Sequence, residues 1–167
     1  DEAQAVAQMV ADVVPLGDLK PGTRMDVTLG RRASKSDPRP LDKLAFRARF
    51  DLRLAVERVD GRLTLRRIPI AVDNTPLRIQ GRVGSSLYRS ARTAGAPAKA
   101  VETYIRALAS RMSVGRDVHA DDRFDIIIEH RRAETGEVEV GKLLYAGLDQ
   151  GRRRIQLLEW TIGGRTE

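Results

Sequence analysis

Apolar residues recur at every second position from residue 44 to residue 56. Leu44, Phe46, Ala48, Phe50, Leu52, Leu54 and Val56 alternate with Ala45, Arg47, Arg49, Asp51, Arg53, Ala55 and Glu57. A period of two predicts one long strand with a buried face and an arginine-bearing face. Asp60-Gly61 is a hairpin signal that returns the chain through Leu63 and Leu65, and Asn74-Thr75-Pro76 bounds a further strand over residues 77–80. With a strand over residues 24–29, these read as an antiparallel meander. Residues 2–14 read as an amphipathic helix stopped by Pro15 and Gly17, and residues 30–43 as a polar loop.

Beyond residue 82 the period changes to that of helices. Ser85 or Ser86 can cap a short helix containing Leu87, Tyr88 and Ala91, which Gly95 ends. Pro97 then opens a second helix whose apolar face is Val101, Tyr104, Ile105, Leu108, Ala109 and Met112. Strands are expected over residues 123–129, 137–148 and 154–160, with turns at Thr135-Gly136 and Gln150-Gly151. The predicted core includes Leu87, Tyr88, Ile105, Leu108, Phe124, Ile126, Ile128, Leu144 and Leu157.

One pattern occurs twice. Residues 18–32 align without a gap on residues 117–131: Asp18, Arg24, Asp26 and Arg32 recur as Asp117, Arg123, Asp125 and Arg131, and Met25, Val27 and Leu29 answer to Phe124, Ile126 and Ile128. Upstream, Val6, Met9, Val10 and Val13 fall on Ile105, Leu108, Ala109 and Met112. Each copy is thus a helix, a turn and a strand. The expected fold class is α+β: two small domains, 1–82 and 83–167, each with short helices packed on an antiparallel sheet. The helix at residues 87–94 has no counterpart before residue 1, so the first domain is expected to lack its first helix.

Composition narrows the chemistry. The 167 residues are 41% hydrophobic, enough for a core, and contain no cysteine, which removes disulfides and thiolate metal sites. No apolar run approaches the roughly 20 residues of a membrane helix. The formal net charge is +7, with 16 basic and 11 acidic side chains in residues 1–82 and 14 and 12 in the remainder. That balance suits an anionic partner or simply a solvated surface. Arg47, Arg49 and Arg53 are the candidate contact for an anionic polymer, through forked hydrogen bonds to carboxylates. Asp121 and Asp122 are adjacent carboxylates at a turn, where capping of backbone amides is the expected role. His119 and His130 are unclustered. Gly81-Arg82-Val83-Gly84 has the form of a nucleotide-clamping loop, but the residues before it read as a strand rather than a helix, so a flexible joint is the expectation. Nucleic acid is not expected as a partner, aromatic stacking platforms being scarce at 4%.

The order Ser85-Ser86-Leu87-Tyr88, Ala91, Ala94-Gly95-Ala96-Pro97, Arg116-Asp117-Val118, Asp121-Asp122-Arg123-Phe124 and Gly141-Lys142-Leu143-Leu144-Tyr145-Ala146 resembles the region preceding the catalytic domain in Gram-negative LytM-type zinc metallopeptidases. These are lysostaphin-like murein endopeptidases, which cut the peptide cross-links of peptidoglycan. Residues 15–80 resemble more loosely the LysM-like, opacity-associated-protein-type domain of that family. Leu19-Lys20-Pro21-Gly22-Thr23-Arg24 is similar to its Leu-x-Pro-Gly-Asp-Arg turn, with Thr23 where Asp is common. In the second copy Ala120 and Asp121 replace Pro-Gly, so other turn chemistry is required.

The resemblance implies a non-catalytic region that targets a periplasmic peptidase to peptidoglycan or occludes its cleft. Partners would be peptidoglycan and the protein's own catalytic domain, with any inner-membrane attachment made by a segment outside these residues. The family holds zinc through His-x-x-x-Asp and His-x-His. Here the fourth residue after His119 is Arg123, the fourth after His130 is Glu134, and there is no His-x-His. No catalytic, cofactor or metal residues are therefore expected in this chain, and zinc belongs to a catalytic domain expected beyond Glu167. Two other readings stay open: a basic nucleic-acid-binding protein and a stand-alone cell-wall-binding adaptor.

Overall fold

The computed structural model describes residues 2–158, 161–162 and 165–166. The fold is α+β, and packing divides it into two compact units, residues 1–72 with 133–136, and residues 73–132 with 137–167.

In the first unit, helix α1 (Glu2–Ala11) is followed by strands β1 (Met25–Leu29), β2 (Leu41–Arg49), β3 (Leu52–Val59) and β4 (Arg62–Pro69), which form an antiparallel sheet in chain order. Val10 and Val14 pack against Phe46, Ala48, Leu52 and Leu54 to make its core. The residue 44–56 alternation is not one strand but two, turning at Phe50-Asp51. Pairing places Leu44 opposite Val56 and Phe46 opposite Leu54, so inward positions keep the same parity on both sides of the turn. An uninterrupted period of two therefore runs through a hairpin that lacks a glycine or asparagine signal. The turn is held by its own arginine: Arg47 donates from Nε to the Arg49 carbonyl at 3.3 Å and from its guanidinium to the Phe50 carbonyl. At the next hairpin Asp60 and Gly61 both have positive φ, as Asp-Gly predicts.

The elements that follow are β5 (Val72–Asp73), β6 (Leu77–Arg82), α2 (Leu87–Thr93), α3 (Ala98–Ala109), α4 (Val114–Asp117), β7 (Arg123–Ala133), β8 (Val138–Asp149) and β9 (Arg154–Leu158), which apart from Val72 and Ala133 belong to the second unit. The five-stranded sheet runs β5-β7-β8-β9, with β6 also paired to β7. β6 thus belongs to this sheet and does not continue the first meander. Short pieces β10 (Thr161–Ile162) and β11 (Arg165–Thr166) pair with each other. Trp160, read above as the end of a strand, lies outside the described residues.

Ser86 caps α2 by accepting from the Arg89 amide, and Gly95, at φ 101°, lets the Ala96 amide reach back to the Ala91 carbonyl. α2 and α3 cover the inner sheet face, where Phe124, Ile126 and Ile128 of β7 and Leu148 of β8 are buried with Leu87 and Leu108. Tyr104 is fully buried as well, donating its hydroxyl to the Gly147 carbonyl at 2.7 Å, and burial pushes its phenol well above the ordinary tyrosine range. Ile105 and Leu157 flank this core. Tyr88 does not join it. Leu87 and Ala91 share the inward face of α2, and the residue after Leu87 is turned about 100° away into solvent. Leu144 is half-buried, outside the buried cluster.

The expected flexible joint at Gly81-Gly84 is ordered structure. Gly81 sits in β6 opposite Phe124, and a Cβ there would stand 2.6 Å from the Phe124 ring. The glycine makes room for the aromatic.

Candidate functional site

Among the described residues no three His, Cys, Asp or Glu side chains gather to hold a metal. Asp121 and Asp122 diverge, as neighbours at a turn do. Asp121 is exposed, 3.7 Å from Arg82. Asp122 is buried and closes the turn of the second copy: its Oδ2 accepts from the His119 amide and from Gln150 Nε2, both at 2.8 Å. In the first copy Pro21-Gly22 does this work, with the Thr23 amide donating to the Lys20 carbonyl at 3.1 Å. One turn is made by backbone conformation and the other by a carboxylate.

The first candidate surface is the arginine face of the first unit. Arg47 and Arg53 lie directly opposite each other on β2 and β3. Arg53 pairs with Asp26 at 2.9 Å, and the Arg47 guanidinium carbon stands 5.0 Å from the centre of the Phe50 ring. Arg49 is separated from this pair by a bulge in the β2–β3 register, which sets it opposite Leu52, and it bonds Asp51 at 3.1 Å. The three arginines therefore do not act as one row. Arg66 of β4 sits opposite Ala55, beside Arg53, and adds a largely exposed cation. Like charges so placed repel unless counter-ions share the face, a role filled by Asp26 and Glu57.

The second surface is the polar face of the other sheet. Arg78 clasps Asp125 with Nε at 2.9 Å and Nη2 at 2.5 Å, and Arg154 meets Asp149 at 2.9 Å. A cavity of about 260 Å³ lies among these groups, Gln80 and Tyr145. The Arg78 side-chain hydrogen bonds hold the Asp125 carboxyl below its ordinary range, against the opposing effect of burial, with further help from Gln80 and the arginine's charge. A depressed carboxyl contributes stability that is complete above the unfolded value near 3.9 and is lost as pH falls through the folded value. Asp125→Asn is accordingly expected to flatten part of the acid-side loss of stability of the second unit. Denaturant midpoints read from β7 amide exchange at pH 6 and pH 3 check this, and an unchanged acid slope would contradict it.

The third surface went unread in the sequence. A groove of about 960 Å³ separates α3 from β8 and β9, with Leu143, Leu144 and Leu157 along it. Lys99, Arg111 and Lys142 supply its charge, and among the described residues no carboxylate lines it. The groove exists because the α3 side that meets it carries Ala100, Thr103 and Ala107, with Ser110 at the cap just beyond, all too short to fill the space. Those positions recur every three or four residues beside the apolar stripe, the signal that could have revealed it.

The fold and these surfaces define the class: a two-unit α+β chain whose sheets present charged faces. No protein-family model matches the chain, and no curated protein matches it. Among solved structures, a zinc-containing peptidase from Vibrio cholerae aligns with 98% of this chain at a TM-score of 0.56 and 17% identity, over 48% of its own length. Csd3 of Helicobacter pylori aligns with 86% of this chain at a TM-score of 0.52 and 14% identity, over 38% of its length. The chain spans less than half of the length of both of these structures, and at these identities the likeness is one of fold.

Proposed function

We propose that this chain is the non-catalytic region of a periplasmic LytM-type zinc peptidase, and that it positions the catalytic domain on peptidoglycan. The observation that carries the reading is the fold match: nearly the whole chain aligns with less than half of a zinc-containing peptidase. The motif order from Ser85 to Ala146 supports it, and so does a donor set of two separated histidines without cysteine. In this reading zinc belongs to the catalytic domain outside these residues, and the LysM-like first unit supplies the polymer contact through Arg47 and Arg53, with Arg49 at the hairpin end. Guanidinium forks match the carboxylates of stem peptides in shape and charge.

The test is sedimentation of the purified chain with peptidoglycan sacculi. The chain is expected to pellet with them, and the Arg47→Ala/Arg53→Ala pair to weaken the affinity about tenfold, equivalent to about 1.4 kcal/mol. Unchanged binding by the double variant would remove the arginine assignment. Zinc-dependent release of muropeptides by residues 1–167, abolished by a chelator, would overturn the non-catalytic reading.

A further inference from the structure

The outer face of the second sheet is a grid whose rows follow from strand register. One row runs Gln80, Asp125, Gly147 and Gln156 across β6, β7, β8 and β9. The row on one side holds Arg78, Ile127, Tyr145 and Leu158, and the row on the other Arg82, Arg123, Asp149 and Arg154. Phe124, Ile126 and Ile128 alternate with the β7 members and are buried, so the rows point away from the core.

The centre of the grid is a glycine fixed from both sides. From the inner face Tyr104 donates its hydroxyl to the Gly147 carbonyl. On the outer face a Cβ at Gly147 would stand 2.7 Å from the Tyr145 hydroxyl oxygen and 2.8 Å from Cε1 of its ring, so the missing side chain lets that ring lean over the middle row. The cavity of about 260 Å³ opens beside it.

Charge on the cavity wall is close to balance and is held in place. Arg78 forks onto Asp125, and Asp149 is held by Arg154 at 2.9 Å and by the Gly151 amide at 2.8 Å. Carboxylates so fixed keep lone pairs to spare, and the guanidiniums keep N–H groups. The Tyr145 hydroxyl and the Gln156 amide can each donate and accept, and among the described residues neither side chain is hydrogen-bonded to the protein. Donors and acceptors therefore alternate around a small hollow with an aromatic ring on one side. A polyhydroxylated ring is the complement of such a hollow: every hydroxyl gives and takes a hydrogen bond, adjacent hydroxyls match the fork of a carboxylate or guanidinium, and the C–H face rests on the phenol.

We propose that the outer face of β6–β9, centred on Gly147, binds a neutral saccharide ring, with Asp125, Tyr145 and Gln156 as its principal contacts. An anion suits the hollow less, because the carboxylates of Asp125 and Asp149 face it. Groups already held by their neighbours spare the ligand the cost of ordering them. The site lies in the second unit and takes sugar, so it does not rest on the stem-peptide contact of Arg47 and Arg53.

Amide NMR shifts of the purified chain, titrated with the β-1,4-linked trimers of N-acetylglucosamine and of glucose, test the proposal. At least one trimer is expected to move the Asp125, Gly147 and Gln156 signals along one saturating curve, with a Kd on the order of 1 mM. Inorganic phosphate should leave these signals in place. Tyr145→Phe combined with Gln156→Ala is expected to weaken binding about tenfold, and Gln156→Ala alone, at an exposed position, about threefold. Unchanged β7 amide exchange in the variants reports an intact sheet. Failure of both trimers to move the signals would overturn the proposal, as would phosphate moving them equally or the double variant binding as the parent does.

Discussion

Phe124→Ala is expected to cost the second unit about 3–5 kcal/mol, the range for emptying an aromatic site in a packed core. The ring is fully buried and lies against Gly81 of the neighbouring strand, whose missing side chain exists to admit it. Truncation leaves a void with backbone on one side, and backbone in a paired strand cannot collapse to fill it. Met25→Ala, at the equivalent position of the first copy, is expected to cost no more than about 0.5 kcal/mol, because that side chain is already half in water. Amide exchange of β7 and β1 in denaturant reads the two units separately, which a single unfolding curve of a two-unit chain does not. Equal costs at the two positions would show that the exposure difference has no energetic meaning.

Asp122→Ala is expected to destabilise the second unit by about 2–3 kcal/mol. The buried carboxylate receives the His119 amide and the Gln150 side chain, each at 2.8 Å, and Gln150 Nε2 also donates to the Asp117 carbonyl at 2.6 Å. Alanine removes two charge-assisted hydrogen bonds, leaving the His119 amide without its side-chain acceptor and Gln150 Nε2 with the Asp117 carbonyl alone. Asp122→Asn can set its one acceptor oxygen where Oδ2 receives both donors but loses the charge that strengthens those bonds, so it should recover only part of the loss. Thermal unfolding with exchange at the α4–β7 turn measures both. An alanine variant as stable as the parent would mean that solvent readily replaces the carboxylate, and the turn would need another explanation.

Local signals in the sequence carried well wherever the structure is made locally. The Ser86 cap, the Gly95 stop, the Asp60-Gly61 hairpin and the turns at Gly136 and Gly151 all act through residues a few positions apart. The α3 stripe was legible in part: Val101, Tyr104 and Leu108 are buried at helical spacing and Ile105 flanks them, but Ala109 is exposed and Met112 lies past the end of the helix. The candidate arginines were legible only as a list. Alternation placed Arg47, Arg49 and Arg53 on one strand face; the hairpin at Phe50-Asp51 and its bulge set Arg47 against Arg53 and separated Arg49. The groove beside α3 escaped because small residues announce themselves only by what fails to fill the space opposite.

By itself the sequence determined the α+β class, most of the turns and part of each helical face, because periodicity and turn chemistry are properties of neighbouring residues; the repeated beat holds for turn and strand, whereas its helix register sets buried Val10 on exposed Ala109. Only the tertiary structure decided that the beat is buried in Phe124, Ile126 and Ile128 and left open in Met25, Val27 and Leu29. Burial depends on which elements lie across a strand and above it, and for β7 those are β6 and α2, which begin 46 and 36 residues before it in the chain. No pattern within the strand itself records whether such neighbours are present.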